Sequence, residues 1–193
     1  IPLRLVGSEM CIRDRTFLGR VCLVAAGKAA WQMAHAARAC LQDNFCGGVV
    51  VTKYGHVNGE IADVACFEGG HPVPDENSLR GTDAALALTE DLTESDTVVF
   101  LLSGGGSALF EKPLLPLAEL QDVTNQLLAT GADIVEINTI RKRLSAVKGG
   151  RFARHCAPAQ VFAVVLSDIL GDRPDSCLLY TSPSPRDVEE SRM

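Results

Sequence analysis

Four short runs of nearly uninterrupted apolar residues constrain this chain more than any other feature: Val21 to Ala26 (VCLVAA), Val49 to Thr52 (VVVT), Thr97 to Leu102 (TVVFLL) and Val161 to Leu166 (VFAVVL). A strand of this kind has no face to offer water, so its sheet must be covered on both sides, as parallel sheets are. Segments with helical spacing separate the runs. Lys28 to Gln42 is alanine-rich and places Ala30, Met33, Ala34, Ala37 and Leu41 on one face. Ser78 to Leu92, Leu117 to Ala129 (after Pro113 and Pro116) and Ile134 to Val147 repeat the helical pattern, while Ile61 to Phe67 is a weaker strand candidate. Gly47 and Gly48 read as punctuation ahead of the second strand. There is no internal repeat or low-complexity linker. The expectation is one α/β domain of three layers, α/β/α, around a mainly parallel, Rossmann-like sheet.

Both ends of the chain look foreign to that domain. Leu5 to Asp14 (LVGSEMCIRD) and Leu178 to Arg186 (LLYTSPSPR) can be written on opposite strands of one nucleotide string, ctcgtgggctcggagatgtgtataagagac. Unrelated protein segments almost never satisfy that condition, and the string resembles a transposase-type sequencing adapter. The expected organisation is therefore an adapter-like tail over 1–15, a partial α/β domain over 16–176 and a second adapter-like tail over 177–193.

Charge and composition narrow the function classes. The chain has 18 Lys+Arg against 24 Asp+Glu, a formal net charge of -6, and no basic cluster interleaved with aromatics. Nucleic acid and anionic membranes are not expected partners. No run approaches the roughly 18 uncharged apolar residues that cross a bilayer, and Arg4, Glu9, Arg13, Asp14 and Arg15 interrupt any leader. A cytoplasmic location follows as the expectation, with homo-oligomer formation left open. Of the seven cysteines, Cys11 and Cys177 fall in the tails. Cys22, Cys40, Cys46, Cys66 and Cys156 form no CxxC pair and read as reduced, buried thiols rather than a disulfide framework or a zinc site.

Ligands of parallel sheets sit beyond the carboxyl ends of the strands, so the loops there carry the chemistry. Gly27 and Lys28 follow the first strand, where open amides, the helix dipole and a lysine would meet an anion. The turn is neither a Walker A loop nor GxGxxG, and a surface lysine after a turn glycine is the plain alternative. Ser103-Gly104-Gly105-Gly106-Ser107 follows the third run. Each glycine costs up to about 1 kcal/mol of conformational freedom relative to alanine, so something should require three of them. A nest of amides around an oxyanion is one answer and a flexible turn the other. His71 lies between a glycine pair and two prolines, placed either to act on a substrate oxygen near neutral pH or to pack a turn. His56 is ambiguous, and His35 and His155 carry no role. Arg141, Ser145 and Lys148 fall at i, i+4 and i+7, which predicts one helix face that clamps an anion or is simply solvated. Asp168 and Asp172 end the last strand, where carboxylates hold Mg²⁺ or accept a hydroxyl proton.

Six ordered blocks, GKAAWQMAHAA, TKYGHV, EGGHPVPDENSLRGTDAAL, LLSGGGSALFEKP, INTIRKRLSAVKGGR and VVLSDILGD, resemble the amino-terminal domain of the class II glycerate 2-kinase family across Val21 to Asp172. The resemblance implies transfer of the ATP γ-phosphoryl group to D-glycerate, giving 2-phosphoglycerate, with Mg²⁺ and a cleft between two domains. The family's second, MOFRL domain is absent after Asp172, so the fragment itself is expected to be inactive. On that footing Lys28, Arg141 and Asp168 are the catalytic candidates. Gly27, His71, Ser103, Gly104, Gly105, Gly106, Ser107 and Lys148 are the substrate- and phosphate-binding candidates, and Asp168 with Asp172 the metal candidates. Family members also carry the label hydroxypyruvate reductase, which would require a nicotinamide fingerprint that AAGKAA lacks. A small-anion-binding module without catalysis is the third reading. If the tails are foreign, deleting residues 1–15 and 177–193 leaves the far-ultraviolet circular dichroism and the melting temperature of the remainder unchanged; a truncation that unfolds it contradicts the assignment.

Overall fold

The computed structural model describes residues 17–41, 44–131 and 134–166. In chain order the elements are β1 (Val21–Ala26), α1 (Ala30–Arg38), β2 (Phe45–Lys53), β3 (Val64–Gly69), α2 (Glu76–Leu88) and β4 (Thr97–Ser103). After β4 come α3 (Gly106–Leu109), α4 (Leu117–Ala129), α5 (Ile134–Arg143), α6 (Arg151–His155) and β5 (Gln160–Leu166). All pairings are parallel and the strand order is β3-β2-β1-β4-β5. The chain therefore winds outward from β1 in one direction and from β4 in the other, which puts a topological switch point between those two central strands. Every residue of β1 and β4 is buried, as continuous apolar runs require.

Alternate side chains of each strand feed two cores. Cys22, Val24, Ala26, Val51, Val98, Phe100 and Leu102 face α2, α3 and α6, where Phe100, Phe110 and Phe152 pack against one another with ring centroids 4.8–5.6 Å apart. Val21, Leu23, Ala25, Val50, Val99 and Leu101 face α1. Ala30, Ala34 and Ala37 line the buried stripe of that helix, and their small size lets it lie close to the sheet. The three-layer expectation holds. Among the described residues no helix is long and apolar enough to cross a membrane.

Several boundaries differ from the sequence expectation for identifiable reasons. β2 starts at Phe45 and runs through Gly47 and Gly48. A Cβ on Gly48 would lie 3.0 Å from Val64 and 3.2 Å from Leu23, so glycine here reflects crowding between neighbouring strands rather than a turn. α2 starts at Glu76 because Asp75 caps it, accepting from Ser78 N at 2.9 Å while Ser78 Oγ reciprocates. α5 stops at Arg143 rather than continuing to Val147. Leu144 to Ala146 instead turn to pair with Lys112 to Leu114, through Leu114 N to Leu144 O at 2.9 Å and Ala146 N to Lys112 O at 2.7 Å. The Arg151 guanidinium takes the carbonyl oxygens of Lys142 and Ser145 that the helix end leaves open. Arg141 and Lys148 therefore do not share a helix face, which corrects the spacing argument.

At the amino-terminal end of the sheet Asp96 ties β4 to β1. Its side chain is 4% exposed and accepts from Arg20 N at 2.8 Å, Arg20 Nη2 at 2.9 Å, Thr93 N at 2.8 Å and Thr93 Oγ1 at 3.0 Å. The Arg20 bond, helped by the Thr93 amide and opposed by burial, holds the carboxyl well below the usual range. A depressed native pKa stabilises the fold above the unfolded value, near pH 4, and that contribution is lost as the pH falls toward the native value. Asp96→Asn should lower stability by about 2 kcal/mol at pH 7 and flatten the acid limb of a pH–stability curve measured by urea unfolding.

Candidate functional site

The carboxyl ends of β1 and β4 meet closely enough to dictate the residue types there. Gly27 has φ +127°, and a Cβ on it would lie 2.2 Å from Ser103 Oγ, so no other residue fits. Gly27 N donates to Val51 O at 3.1 Å, Lys28 N to Gly104 O at 2.9 Å, Ala29 N to Ser103 Oγ at 3.0 Å and Ala30 N to Gly27 O at 3.2 Å. Thr52 Oγ1 donates to Gly27 O at 2.9 Å. The expectation of open amides at this helix start is thus corrected: each N–H has a partner inside the protein. What the turn presents outward is the exposed Lys28 side chain. His56 braces it from outside, with Nδ1 2.8 Å from Lys28 O, and Glu68 Oε1 holds the His56 and Val57 amides at 2.9 Å each.

The glycine-rich turn sits directly beside Lys28. Gly105 adopts a left-handed φ of +84° and opens α3, whose first amides, Gly106 and Ser107, have no partner within the helix. A Cβ on Gly105 would lie 2.8 Å from His71 Nε2 and 3.3 Å from Lys28 Cε. The turn, the imidazole and the lysine stem therefore converge on one point. The His71 loop is fixed at its far end by the α2 cap, where Asp75 also accepts from Tyr54 Oη at 2.7 Å, and by Gln121 Nε2 on Pro74 O at 2.8 Å. Burial works against the Asp75 carboxylate, yet the bonds from Ser78, Tyr54 and Gly70 keep it below its ordinary range.

Beneath the turn lies a buried charge cluster. Arg141 Nη2 donates to Ser107 O at 3.1 Å, and burial lowers the guanidinium pKa while Glu111 opposes that shift. Lys148 is fully buried, donates to Phe110 O at 3.2 Å and is ion-paired with Glu111. Burial pushes the lysine down to about 8 against the pull of Glu111, and the Arg141 charge adds to the depression. Two cations face one carboxylate, a net positive charge under the amides of α3. Glu111 Oε1 and Asn138 Oδ1 are buried oxygens without a hydrogen-bond partner among the described residues.

Of the residues the sequence pointed to, Gly27, Lys28, His71 and Ser103 to Ser107 come together at the switch point, with Arg141 gripping the turn from below. Lys148 is sealed against Glu111 instead of lining the opening. Asp168 and Asp172 lie outside the described residues. Among the described residues no group of three His, Cys, Asp or Glu side chains could hold a metal ion. Glu111 went unnoticed in the sequence, although a lone carboxylate ending the apolar stretch Ala108-Leu109-Phe110 was the available signal.

An all-parallel sheet whose switch point brings together a lysine, a histidine and a glycine-rich turn defines a doubly wound α/β domain. The chain belongs to the family described as a domain of unknown function, DUF4147, which matches residues 4–178. It is 59% identical over 160 residues to a D-glycerate 2-kinase of Thermotoga maritima, covering 82% of this chain and 38% of that relative. A relative in Agrobacterium vitis, provisionally named a hydroxypyruvate reductase, is 43% identical over 158 residues, covering 81% and 36%. The crystal structure of a glycerate kinase from Thermotoga maritima superposes with a TM-score of 0.83 at 54% identity, covering 90% of this chain and 43% of that one. The chain thus spans about two fifths of the length of these relatives, and the family resemblance read from the six sequence blocks is borne out. The geometry at Gly105 decides between flexible turn and required glycine: Gly105→Ala should destabilise by about 1–2 kcal/mol rather than stabilise. Adding His71→Ala should recover part of the loss in thermal melts, since it removes the ring that the new methyl meets.

Proposed function

We propose that this chain is the phosphate-handling amino-terminal domain of a glycerate 2-kinase, which transfers the γ-phosphoryl group of ATP to a hydroxyl of D-glycerate. The observation that carries the reading is the convergence of Lys28, His71 and the Ser103–Ser107 turn at the switch point. Phosphoryl transfer is mostly positioning and charge neutralisation, which needs cations and preorganised amides rather than a covalent nucleophile. The kinase names of the relatives point the same way.

ATP supplies the transferable phosphoryl group when bound, and a turn that leaves no room for a Cβ at Gly105, beside a lysine, suits a phosphate oxygen. Lys28 Nζ neutralises the charge of the moving phosphoryl group or the glycerate carboxylate. The amides of Gly106 and Ser107 hold phosphate oxygens, Gly105 keeps the approach free of a Cβ, and His71 Nε2 donates to a substrate oxygen. Arg141 fixes the turn through Ser107 O and, with Lys148, adds positive potential beneath it. Mg²⁺ would neutralise phosphate charge when bound, and Asp168 and Asp172, outside the described residues, are the candidates to hold it or to accept the hydroxyl proton. A nicotinamide reductase reading is disfavoured by the turn after β1, because the amides of Gly27, Lys28 and Ala29 are already bound internally and cannot cradle a pyrophosphate.

In the full-length enzyme, Lys28→Ala should lower kcat for ADP formation with D-glycerate by about 100-fold or more while the melting temperature stays put. NADH oxidation with hydroxypyruvate should remain at background. Equal turnover in mutant and wild type would return Lys28 to the role of a surface lysine.

A further inference from the structure

At the other end of the sheet, remote from the switch point, two cysteines of adjacent strands approach one another in a way the kinase reading does not use. Cys22 is the second residue of β1 and Cys46 the second of β2. The β1–β2 register jumps from Val21↔Phe45 to Cys22↔Gly47, so Cys46 is the extra residue of a bulge and escapes the strict alternation of its strand. Its side chain turns toward β1, and the two Sγ atoms lie 2.7 Å apart. That is well inside the contact distance of two unbonded sulfurs and about 0.7 Å longer than a disulfide bond. Both are free thiols, Cys22 buried at 1% exposure and Cys46 exposed to solvent. Cys46 Sγ also reaches Val21 O at 3.4 Å and Cys22 Sγ reaches Leu88 O at 3.8 Å, so both sulfurs are held in place by backbone on either side. The expectation of buried thiols holds for Cys22 and Cys156 and is corrected at Cys46, which is exposed, and at Cys40 and Cys66, which are half-buried.

We propose that Cys22 and Cys46 form a redox-active dithiol, in which exposed Cys46 reacts first with a low-molecular-weight disulfide and Cys22 then closes an intramolecular bond that staples β1 to β2. With glutathione disulfide as oxidant, the Cys46 thiolate attacks one sulfur, the glutathione S–S bond breaks and one glutathione leaves as thiolate. The Cys22 thiol, after losing its proton to water, attacks Cys46 Sγ in the mixed disulfide and expels the second glutathione. Two protein thiols lose two electrons and two protons in all, and one glutathione disulfide becomes two glutathione molecules. Burial, followed by the bond to Cys46, raises the Cys22 thiol above its ordinary range, which suits Cys22 to the resolving step rather than to the first attack. The bond closes a loop between residues 24 positions apart and constrains the unfolded chain accordingly.

The test is incubation of the 193-residue chain with glutathione disulfide, followed by alkylation of remaining thiols and peptide mapping by mass spectrometry. The expected result is a Cys22–Cys46 linked peptide and a melting temperature raised by several degrees, both reversed by dithiothreitol. Cys46→Ser should abolish the link and the shift, and Cys22→Ala should stop at one glutathione on Cys46. A wild-type chain that retains glutathione on Cys46 with Cys22 still open to alkylation on unfolding overturns the proposal, as does a link between other cysteines or a shift that survives Cys46→Ser. None of these outcomes depends on kinase activity.

Discussion

The approach of Gly27 to Ser103 is the contact on which the rest of the site depends. β1 and β4 lie side by side in parallel, and the chain leaves them in opposite directions, so their carboxyl ends need two separate exits through one crowded gap. The gap closes only because position 27 has no side chain. Once it is closed, the amides of the β1 turn bond to β2, to Ser103 and to Gly104, which locks the turn and leaves Lys28 as its outward-facing group. The same closure brings Gly105 within reach of both Lys28 and the His71 ring. A single packing constraint at a switch point thus sets the position of three separate loops.

The charge beneath α3 works differently from the one at its surface. Burying Lys148 and Glu111 costs more than their mutual attraction returns in many proteins, and one Glu111 oxygen here lacks a partner among the described residues. The compensation is local order. Lys148 holds the carbonyl of Phe110 at the end of α3, Arg141 holds that of Ser107 at its start, and Glu111 N reaches Thr82 Oγ1 on α2 at 3.0 Å. The short helix is therefore pinned at both ends by cations whose combined charge exceeds that of the one acid between them. A turn with three successive glycines would otherwise sample many shapes, and preorganised donors act only if they do not.

Much of this was legible from residues alone. β1 follows the run Val21 to Ala26 residue for residue, and α4 coincides with Leu117–Ala129, because continuous apolar runs and proline-led helical periods are strong local signals. What failed was long-range in origin. Val49 to Thr52 understates β2 because Gly48 is explained by Leu23 and Val64 and Gly47 by its positive φ of +142°, neither of which local sequence registers. The helix drawn through Val147 ends at Arg143 because Arg151 and the Lys112–Leu114 segment claim its last turn, which no spacing rule registers. Lys148 looked like a surface clamp because its buried partner, Glu111, lies 37 residues away. Loop identity at the strand ends was readable; which amides those loops kept for themselves was not.

The proposed anion site draws on the turn after β1, the turn after β4 and the His71 loop together. Titration of the chain with ATP at low salt, followed by ¹⁵N–¹H spectra, reports on all three loops at once. Saturable shifts confined to Lys28, His71, Gly104, Gly105, Gly106 and Ser107 are expected, and they should be lost in Lys28→Ala. Shifts spread over the exposed lysines and arginines, or none at the glycine turn, would contradict the proposed site.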